Sequence, residues 1–316
     1  MLLHFDLGGD ISVDGHGDVN FSLAQGPWSV ALQTDTVDLR WSPTQPRGRA
    51  WVGLRFASFA AQMVISPWKE GAPNPAAALN GMYVGLDGGK LWYFSQGTYG
   101  GLMVTGRWYR FSGRENTEIA VPDARWVLTP LAVLGWWSPE AELRLTLGAD
   151  LETRGVAPQV GFYGKWAPSG RIMPELAVQA QVAEGQDWLT TPRIGGMNPY
   201  VVPLAGAAWA EFRAEDYAAL QVGPVLLLGG ERWSFRTGPL LDWVWWQGEQ
   251  VQGVGEVPGE RAELGLGWKN RFAYRRFFSE LDGGYAPTVE RHEGVAWSLW
   301  ARVGFDWESK KKAKKK

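Results

Sequence analysis

The sequence predicts an all-β fold, a closed antiparallel transmembrane β-barrel, from three observations. Side chains alternate between apolar and polar over stretches of about ten residues, as strands do when one face meets lipid and the other a polar lumen. The 316 residues include 20 Trp and 41 Gly, and Trp collects at both membrane–water interfaces of such barrels. No apolar run approaches the ~20 residues of a membrane helix, so strands are expected to cross the membrane.

The clearest alternation covers residues 142–152. The apolar positions are Leu143, Leu145, Leu147, Ala149 and Leu151, and the intervening ones are Glu142, Arg144, Thr146, Gly148, Asp150 and Glu152. A helix would spread these charges around its circumference, so a period of two fits better. The pattern recurs at residues 5–13, 159–166, 172–182, 263–269 and 295–307. A soluble β-sandwich also alternates, but with strands of about five or six residues, so the barrel is the favoured prediction.

Turn signals divide the chain into about sixteen strands, with about fourteen as the alternative if Asp87-Gly88-Gly89 is not a hairpin turn. Short links are expected at residues 25–27, 138–141, 167–170 and 229–231, and long ones at residues 42–49, 112–123, 186–211, 248–260 and 286–294. With the N- and C-termini in the periplasm of a bacterial outer membrane, the short links are periplasmic and the long ones extracellular. Residues 62–80 break this rule, because they form a long link on the periplasmic side.

Two segments are expected: residues 1–307 as the barrel and residues 308–316 as a lysine-rich periplasmic tail. No signal peptide is visible, which would make this a mature exported chain. The tail is expected to be solvated, with an acidic partner or anionic lipid headgroups as the alternative. Phe305 and Trp307 resemble the aromatic signal by which outer-membrane barrels are recognised for assembly, although that signal normally ends the chain.

Composition argues against several kinds of site. Cysteine is absent, which excludes thiolate chemistry and disulfides. The net charge of -2 argues against nucleic-acid binding. His4, His16 and His292 form no convincing catalytic pattern, and turn chemistry accounts for the Asp and Gly residues around His16 without a metal. The chain is therefore expected to be neither an enzyme nor the holder of a cofactor or metal.

Charged residues on the polar phase of the strands are expected to face the lumen. They are Glu142, Arg144, Asp150, Lys165, Glu175, Arg236, Glu263, Lys269, Arg302 and Asp306. The favoured interpretation is a mixed-charge network that holds the wall together and fills the lumen. The alternative is a selectivity lining, which the near balance of signs disfavours.

The last 130 or so residues resemble the barrel of the outer-membrane assembly superfamily, which includes BamA, TamA and the two-partner-secretion transporters. The resemblance rests on Arg193-Ile194-Gly195-Gly196-Met197-Asn198-Pro199-Tyr200, Glu211-Phe212-Arg213, Gly238-Pro239-Leu240-Leu241-Asp242, Leu264-Gly265-Leu266-Gly267-Trp268 and Leu281-Asp282-Gly283-Gly284-Tyr285. It implies that a long sixth extracellular loop folds into the lumen, and that an arginine of this loop contacts an acidic wall residue. Arg213 and Asp242 would form this contact. The motif is degenerate, since Ala214 follows Arg213 where the family has Gly, and the family's periplasmic receptor domains are not seen.

Three functions remain open at this point. The first, implied by the resemblance, is insertion, translocation or anchoring at the outer membrane with a periplasmic or lipoprotein partner. The second is a passive pore or solute channel, and the third is a structural barrel that displays receptor or adhesin loops. In each of them the apolar face would contact outer-membrane lipids and lipopolysaccharide.

Overall fold

A computed structural model of the chain describes residues 2–308 with interruptions. The residues outside the description are 1, 12–15, 35, 46, 60–67, 70–71, 74–75, 77–78, 95–96, 114–116, 119, 153–154, 187–190, 196–201, 208–211, 231, 249–258, 292–293 and 309–316. Strands dominate the rest, and none of the described segments is a helix that is long and apolar enough to cross a membrane. The fold is all-β, as predicted.

Sixteen strands of the described residues form the wall of the barrel. In chain order they are β1 (Leu2–Ile11), β2 (His16–Gln25), β3 (Trp28–Gln33), β4 (Thr36–Trp41), β5 (Gly48–Phe59), β6 (Leu79–Tyr93), β7 (Thr98–Gly113), β8 (Arg125–Trp137), β9 (Ala141–Glu152), β10 (Gly155–Trp166), β11 (Ile172–Ala183), β12 (Phe212–Gly229), β13 (Trp233–Gly248), β14 (Arg261–Tyr274), β15 (Phe277–Ala286) and β16 (Ala296–Glu308). Each pairs antiparallel with the next. β1 also pairs with β16, from Leu2 opposite Glu308 to Ile11 opposite Leu299, and this pairing closes the barrel. The closed barrel of sixteen strands is confirmed, and the alternative of fourteen is wrong.

Short strands outside the wall accompany it. Thr44–Gln45 pairs with the start of β5, and Arg193–Ile194 pairs with the start of β12. Trp68–Lys69 pairs with Ala72–Pro73 in a separate two-stranded sheet. Of these, Arg193–Ile194 belongs to the segment that forms the candidate site.

The sequence Asp87-Gly88-Gly89 lies inside a strand and is not a hairpin turn. β6 runs without a break through these residues. The Trp51 indole N–H donates a hydrogen bond to Asp87 at 3.0 Å, and a Cβ at Gly89 would lie 2.5 Å from the Trp51 ring. Asp87 and Gly89 are therefore explained by the packing of Trp51 on the lumen side, so the predicted hairpin is corrected.

The two ends of the barrel differ in the length of their links. The end with Leu2 and Glu308, here called the terminal end, has links at residues 26–27, 42–47, 94–97, 138–140, 167–171, 230–232 and 275–276. The opposite end, the loop end, has links at residues 12–15, 34–35, 60–78, 114–124, 153–154, 184–211, 249–260 and 287–295. The long link predicted at residues 62–80 therefore belongs with the other long links, and the link at residues 42–49 belongs with the short ones.

The sides of the links at residues 42–49 and 62–80 were predicted wrongly because one turn before them was missed. β3 and β4 are joined by a link of only two residues, which contains neither Gly nor Pro, so the sequence of residues 28–41 predicted a single strand. One missed turn and one supposed turn at Asp87 cancel in the number of strands, but they invert the side assigned to the links between them.

The outer face of the wall is apolar over its whole circumference. On β9, Leu143, Leu145, Leu147 and Leu151 are between 37% and 48% exposed, whereas Asp150 on the opposite face is 1% exposed. Large exposed aromatic side chains lie toward both ends of the strands. They are Trp28, Trp41, Trp166 and Trp233 toward the terminal end, and Trp126, Trp243 and Trp297 toward the loop end. An apolar surface of this extent, edged by Trp, fits a lipid bilayer.

Candidate functional site

The link between β11 and β12 is the sixth at the loop end, and its described part enters the barrel. Ile194, Leu204, Ala205 and Ala207 are each 0% exposed. Ile194 and Val202 form a parallel bridge, so two segments of the loop run side by side in the same direction inside the wall. The prediction that the sixth loop folds into the lumen is confirmed for these residues.

Two backbone N–H groups of the loop donate hydrogen bonds to lumen-facing side chains. Ala205 N–H donates to Asp242 at 2.8 Å, and Gly206 N–H donates to the Ser298 hydroxyl at 3.1 Å. Asp242 and Ser298 are 1% and 2% exposed, and Asp242 also accepts a hydrogen bond from the Gln221 amide at 2.9 Å. A buried carboxylate is costly unless it is hydrogen-bonded. The loop therefore supplies one of the hydrogen bonds that the Asp242 carboxylate needs.

Glycines in the wall make room for the loop backbone. A Cβ at Gly265 would lie 2.5 Å from the Ala205 carbonyl oxygen, and one at Gly284 would lie 2.6 Å from Gly206 N. Gly206 itself has a φ of +90°, and its Cβ would lie 2.1 Å from Ala286 N. The contact between loop and wall is therefore backbone against backbone, which only glycine permits at these three positions.

An apolar cluster surrounds this contact on its loop-end side. Trp246 and Val244 of β13 pack with Ile194 and Leu204, and all four are 0% exposed. The Phe212 ring lies 4.7 Å from the Trp246 ring. Burying this many large side chains stabilises the inserted position by several kcal/mol in total, at about 1.5–3 kcal/mol for each.

The base of the loop is held separately through Asp150, one of the predicted lumen charges. Its carboxylate accepts hydrogen bonds from the Thr129 hydroxyl, from Gln159 at 3.2 Å and from Gln186 of the loop at 3.0 Å. Gln186 also accepts one from Gln181 at 2.9 Å. The loop is thus attached both where it leaves β11 and near its buried segment.

The predicted contact of Asp242 with Arg213 is not among the described contacts. The Arg213 side chain lies outside the described residues, so the pair stays a prediction. The backbone register does not favour it, because Asp242 lies opposite Gln221 and Arg213 lies far earlier in β12, about 26 Å away along an ideal strand. The loop residue seen to contact Asp242 is Ala205.

A second polar cluster, here called the seam network, joins the first and last strands on the lumen side. One ring nitrogen of His4 contacts Asp306 and the other contacts Asp6. Arg302 donates a hydrogen bond to Asp6 at 2.8 Å, and Asn20 donates one at 3.2 Å. Because Asp6 is only 4% exposed, these partners must compensate the loss of its hydration.

The seam network continues across β15 to β14. Glu280 lies 3.7 Å from Arg302 and 3.3 Å from Arg271. The Phe278 ring stacks on His4 with a centroid distance of 5.9 Å and lies within cation–π distance of both arginines. Five consecutive strands around the closure, from β14 through β16 and β1 to β2, are thus held together by side chains in addition to their backbone hydrogen bonds.

Replacing Asp6 with alanine should destabilise the barrel by about 3 kcal/mol, since removing one partner of a buried ion pair leaves the other uncompensated. The urea midpoint of unfolding, followed by the heat-dependent migration of the folded barrel on gels, measures this change. The matched control is Asp306→Ala, whose side chain is 59% exposed and whose loss should cost about 1 kcal/mol or less. Equal losses for the two variants would contradict a network centred on Asp6.

The remaining predicted lumen charges form separate groups and not one network. Glu142 and Arg144 line a cavity of 910 Å³ toward the terminal end. A second cavity, of 440 Å³, has a lining that includes Lys165, Glu175, Arg236, Asp242 and Lys269, and the Lys269 ammonium donates a hydrogen bond to Gln221 at 2.9 Å. Glu263 is buried, at 4% exposed. Arg302 and Asp306 belong to the seam network.

Phe305 and Trp307, the predicted assembly signal, lie at the terminal end of β16. Phe305 is opposite Phe5 on one side and Phe277 on the other, with its ring 5.0 Å from that of Phe277. Trp307 is opposite Leu3. The barrel closes at this strand, and the role of the two residues as a signal stays a prediction.

Several residues of these clusters carried no recognisable sequence signal. Ala205 and Ser298 have no unusual chemistry, and His4, Asp6 and Glu280 are brought together only by closure of the barrel. The glycines did carry a signal. Gly265 and Gly284 fall on the lumen phase of β14 and β15, where small residues leave room for a backbone from another element.

The comparisons with known proteins bear on the fold. No family model matches the chain, and no curated protein sequence matches it. Solved structures that superpose with TM-scores above 0.6 include two CdiB proteins and one BamA. CdiB from Escherichia coli has a TM-score of 0.68 with 9% identity, over 96% of this chain and 63% of that chain. CdiB from Acinetobacter baumannii has 0.66 with 12% identity, over 97% and 60%.

The third structure is BamA from Haemophilus ducreyi lacking POTRA domains 1–3, with a TM-score of 0.65 and 11% identity, over 96% of this chain and 70% of that chain. The chain thus spans between 60% and 70% of the length of these proteins. The resemblance inferred from residues 193–285 is confirmed at the level of the fold. The chain has the barrel fold of BamA and CdiB.

Proposed function

We propose that this chain is an outer-membrane barrel for assembly or translocation, and that it acts together with partner proteins in insertion, translocation or anchoring. The observation that carries the proposal is the sixth loop, inserted into the lumen and hydrogen-bonded to Asp242 and Ser298 through its backbone. An open, water-filled barrel would not need glycines such as Gly265 and Gly284, which make room for the backbone of the loop.

The inserted loop argues against a permanently open pore. The segment from Leu204 to Ala207 occupies the lumen between β13 and β16 and is buried throughout. Passage of a solute or a polypeptide past this segment requires the loop to move, and the contacts described above oppose that movement. Regulated opening suits a partner-dependent machine better than passive diffusion.

The closure between β1 and β16 is the second element of the proposal. It is a continuous antiparallel ladder from Leu2 to Ile11, reinforced by the seam network. In a β-barrel the only way to expose strand edges is to separate one such pair. We propose that β1 and β16 separate during function, because their lumen side is held by polar contacts that water or a partner's side chains can replace.

Orientation and partners complete the proposal. The terminal end faces the periplasm, where residues 308–316 extend from β16 and meet a periplasmic or lipoprotein partner. The tail contains six lysines in its last seven residues, so its contact would be with acidic groups and would weaken with salt. The apolar outer face contacts outer-membrane lipid and lipopolysaccharide, and we propose no enzymatic activity.

Copurification tests the dependence on partners. The full chain and a chain ending at Glu308 are purified from native outer-membrane extracts, and the bound proteins are identified by mass spectrometry. We expect a stoichiometric periplasmic or lipoprotein partner with the full chain, and a smaller yield of it at moderate salt without the tail. Recovery of the barrel alone in both cases would overturn the proposal, and undiminished recovery without the tail would remove the tail's part in it.

A further inference from the structure

The cavity toward the terminal end of the barrel has many aromatic residues in its lining. It has a volume of about 910 Å³ and lies between β6 and β12. Its lining includes Tyr93, Tyr99, Trp137, Tyr163 and Tyr217. Tyr217 also packs against the apolar cluster of the sixth loop, so the cavity extends from the terminal end to the inserted loop. Its size and lining are those of a ligand site.

One row of residues crosses the wall of this cavity, perpendicular to the strands. The strand register places Tyr93, Tyr99, Gly135, Arg144, Tyr163 and Gln179 side by side on six neighbouring strands. A Cβ at Gly135 would lie 2.3 Å from the Tyr99 ring, so this ring lies across the glycine. The Arg144 guanidinium lies over Tyr163 at 5.1 Å. The row is therefore a nearly continuous platform of flat groups.

Two aromatic residues of the cavity, Trp137 and Tyr93, lie on the lumen side of the wall and not in the lipid-facing girdles. Trp137 lies on the same face of β8 as Val133 and Val127, which are buried on the lumen side, yet it is 58% exposed. Tyr93 shares its face of β6 with the buried Tyr83 and is 49% exposed. Lumen-facing aromatic rings with this exposure meet neither lipid nor a protein core, so their presence points to a ligand.

Three polar side chains of the cavity are placed to contact a ligand, namely Glu142, Arg144 and Gln179. In the described part of the chain, the side chains of Glu142 and Gln179 form no hydrogen bond or salt bridge, and the Arg144 guanidinium lies over the Tyr163 ring. With one carboxylate and one guanidinium, the lining of the cavity carries no net charge. A strongly charged ligand is therefore disfavoured.

An extended polypeptide is also disfavoured as the ligand. Every strand from β6 to β12 is paired on both sides, so the wall offers no free backbone edge for strand addition. Recognition must then rest on side-chain rings, amides and hydroxyls. Flat apolar faces combined with hydroxyl groups match the faces and edges of pyranose rings.

We propose that this cavity binds a short, neutral oligosaccharide, with its sugar rings stacked on Tyr99, Tyr163 and Trp137. Glu142, Arg144 and Gln179 accept and donate hydrogen bonds to its hydroxyl groups. The proposal does not depend on the proposed function, because it requires neither a partner protein nor separation of β1 and β16.

Titration calorimetry on the purified full chain tests the site. The protein is held in an amine-oxide detergent, so that no sugar headgroup competes, and is titrated with cellotetraose and with chitotetraose. We expect saturable binding of at least one of them with one site per chain. Tyr163→Ala should weaken this binding about tenfold, since a lost stacking face costs on the order of 1 kcal/mol or more.

The matched control is Tyr274→Ala, which removes a ring that is 42% exposed on the outer face of β14. It should leave the affinity unchanged, and heat-dependent gel migration verifies that both variants fold. Absence of saturable binding for both oligosaccharides at millimolar concentration overturns the proposal. It is equally overturned if a neutral alanine–serine peptide of similar length binds as tightly, or if both alanine variants weaken binding alike.

Discussion

Gly206→Ala is expected to release the sixth loop from the wall of the barrel. A Cβ at this position would lie 2.1 Å from Ala286 N and 2.3 Å from the Tyr285 carbonyl carbon. Both atoms belong to the backbone of β15, which cannot yield without breaking its pairing with β14 and β16. The φ of +90° adds strain of its own for any residue other than glycine.

The clash and the backbone strain together should destabilise the inserted position of the loop by about 3 kcal/mol. This shifts the equilibrium toward the released loop by more than about a hundredfold. Release breaks the hydrogen bonds to Asp242 and Ser298 and opens the lumen. Recordings in planar bilayers should therefore change from brief, rare openings to a large and steady conductance. Cells that carry the variant should become permeable to bulky antibiotics.

A glycine in open space provides the matched control. A Cβ at Gly230, in the link at residues 230–232, would meet no atom within 4 Å. Gly230→Ala makes the same chemical change at the terminal end and should leave conductance and permeability as in the unmodified chain. If Gly206→Ala also left both unchanged, the loop would not be what closes the lumen.

The barrel could be predicted from the sequence because its main constraint is local. A strand between lipid and a polar lumen must alternate residue by residue, as residues 142–152 do. The positions of two turns were predicted wrongly, because local composition does not always show where a strand ends. Asp87-Gly88-Gly89 has the composition of a turn but serves the packing of Trp51, and the two-residue link between β3 and β4 contains neither Gly nor Pro.

The loop contact could be predicted only in part. Asp242 was identified through the resemblance to the assembly superfamily, and its place on the lumen phase of a strand supported that choice. That the partner is the N–H group of Ala205 was not predictable, since every residue except proline has such a group. The seam network could not be predicted from the sequence for another reason. His4 and Asp306 are separated by 302 positions in the chain, and only the register of the closed barrel brings them together.

Locking β1 to β16 with a disulfide should abolish the proposed function. Leu7 and Val303 are opposite each other in this pair, and both point outward, at 48% and 53% exposed. Facing Cα atoms in an antiparallel pair are about 4.5–5.5 Å apart, within the range that a disulfide bridges. The chain has no cysteine of its own, so Leu7→Cys with Val303→Cys creates a single defined cross-link.

In a strain that lacks this chain, we expect the oxidised double variant to fail in complementation and to recover when a reductant opens the cross-link. Faster migration of the unfolded, cross-linked chain on gels verifies the disulfide. The matched control joins β9 to β10 through Leu145→Cys with Phe162→Cys, which are also opposite each other and point outward. That pair should stay active in both redox states. Full activity of the oxidised Leu7–Val303 variant would show that the barrel works closed, and the sixth loop alone would then have to open the path.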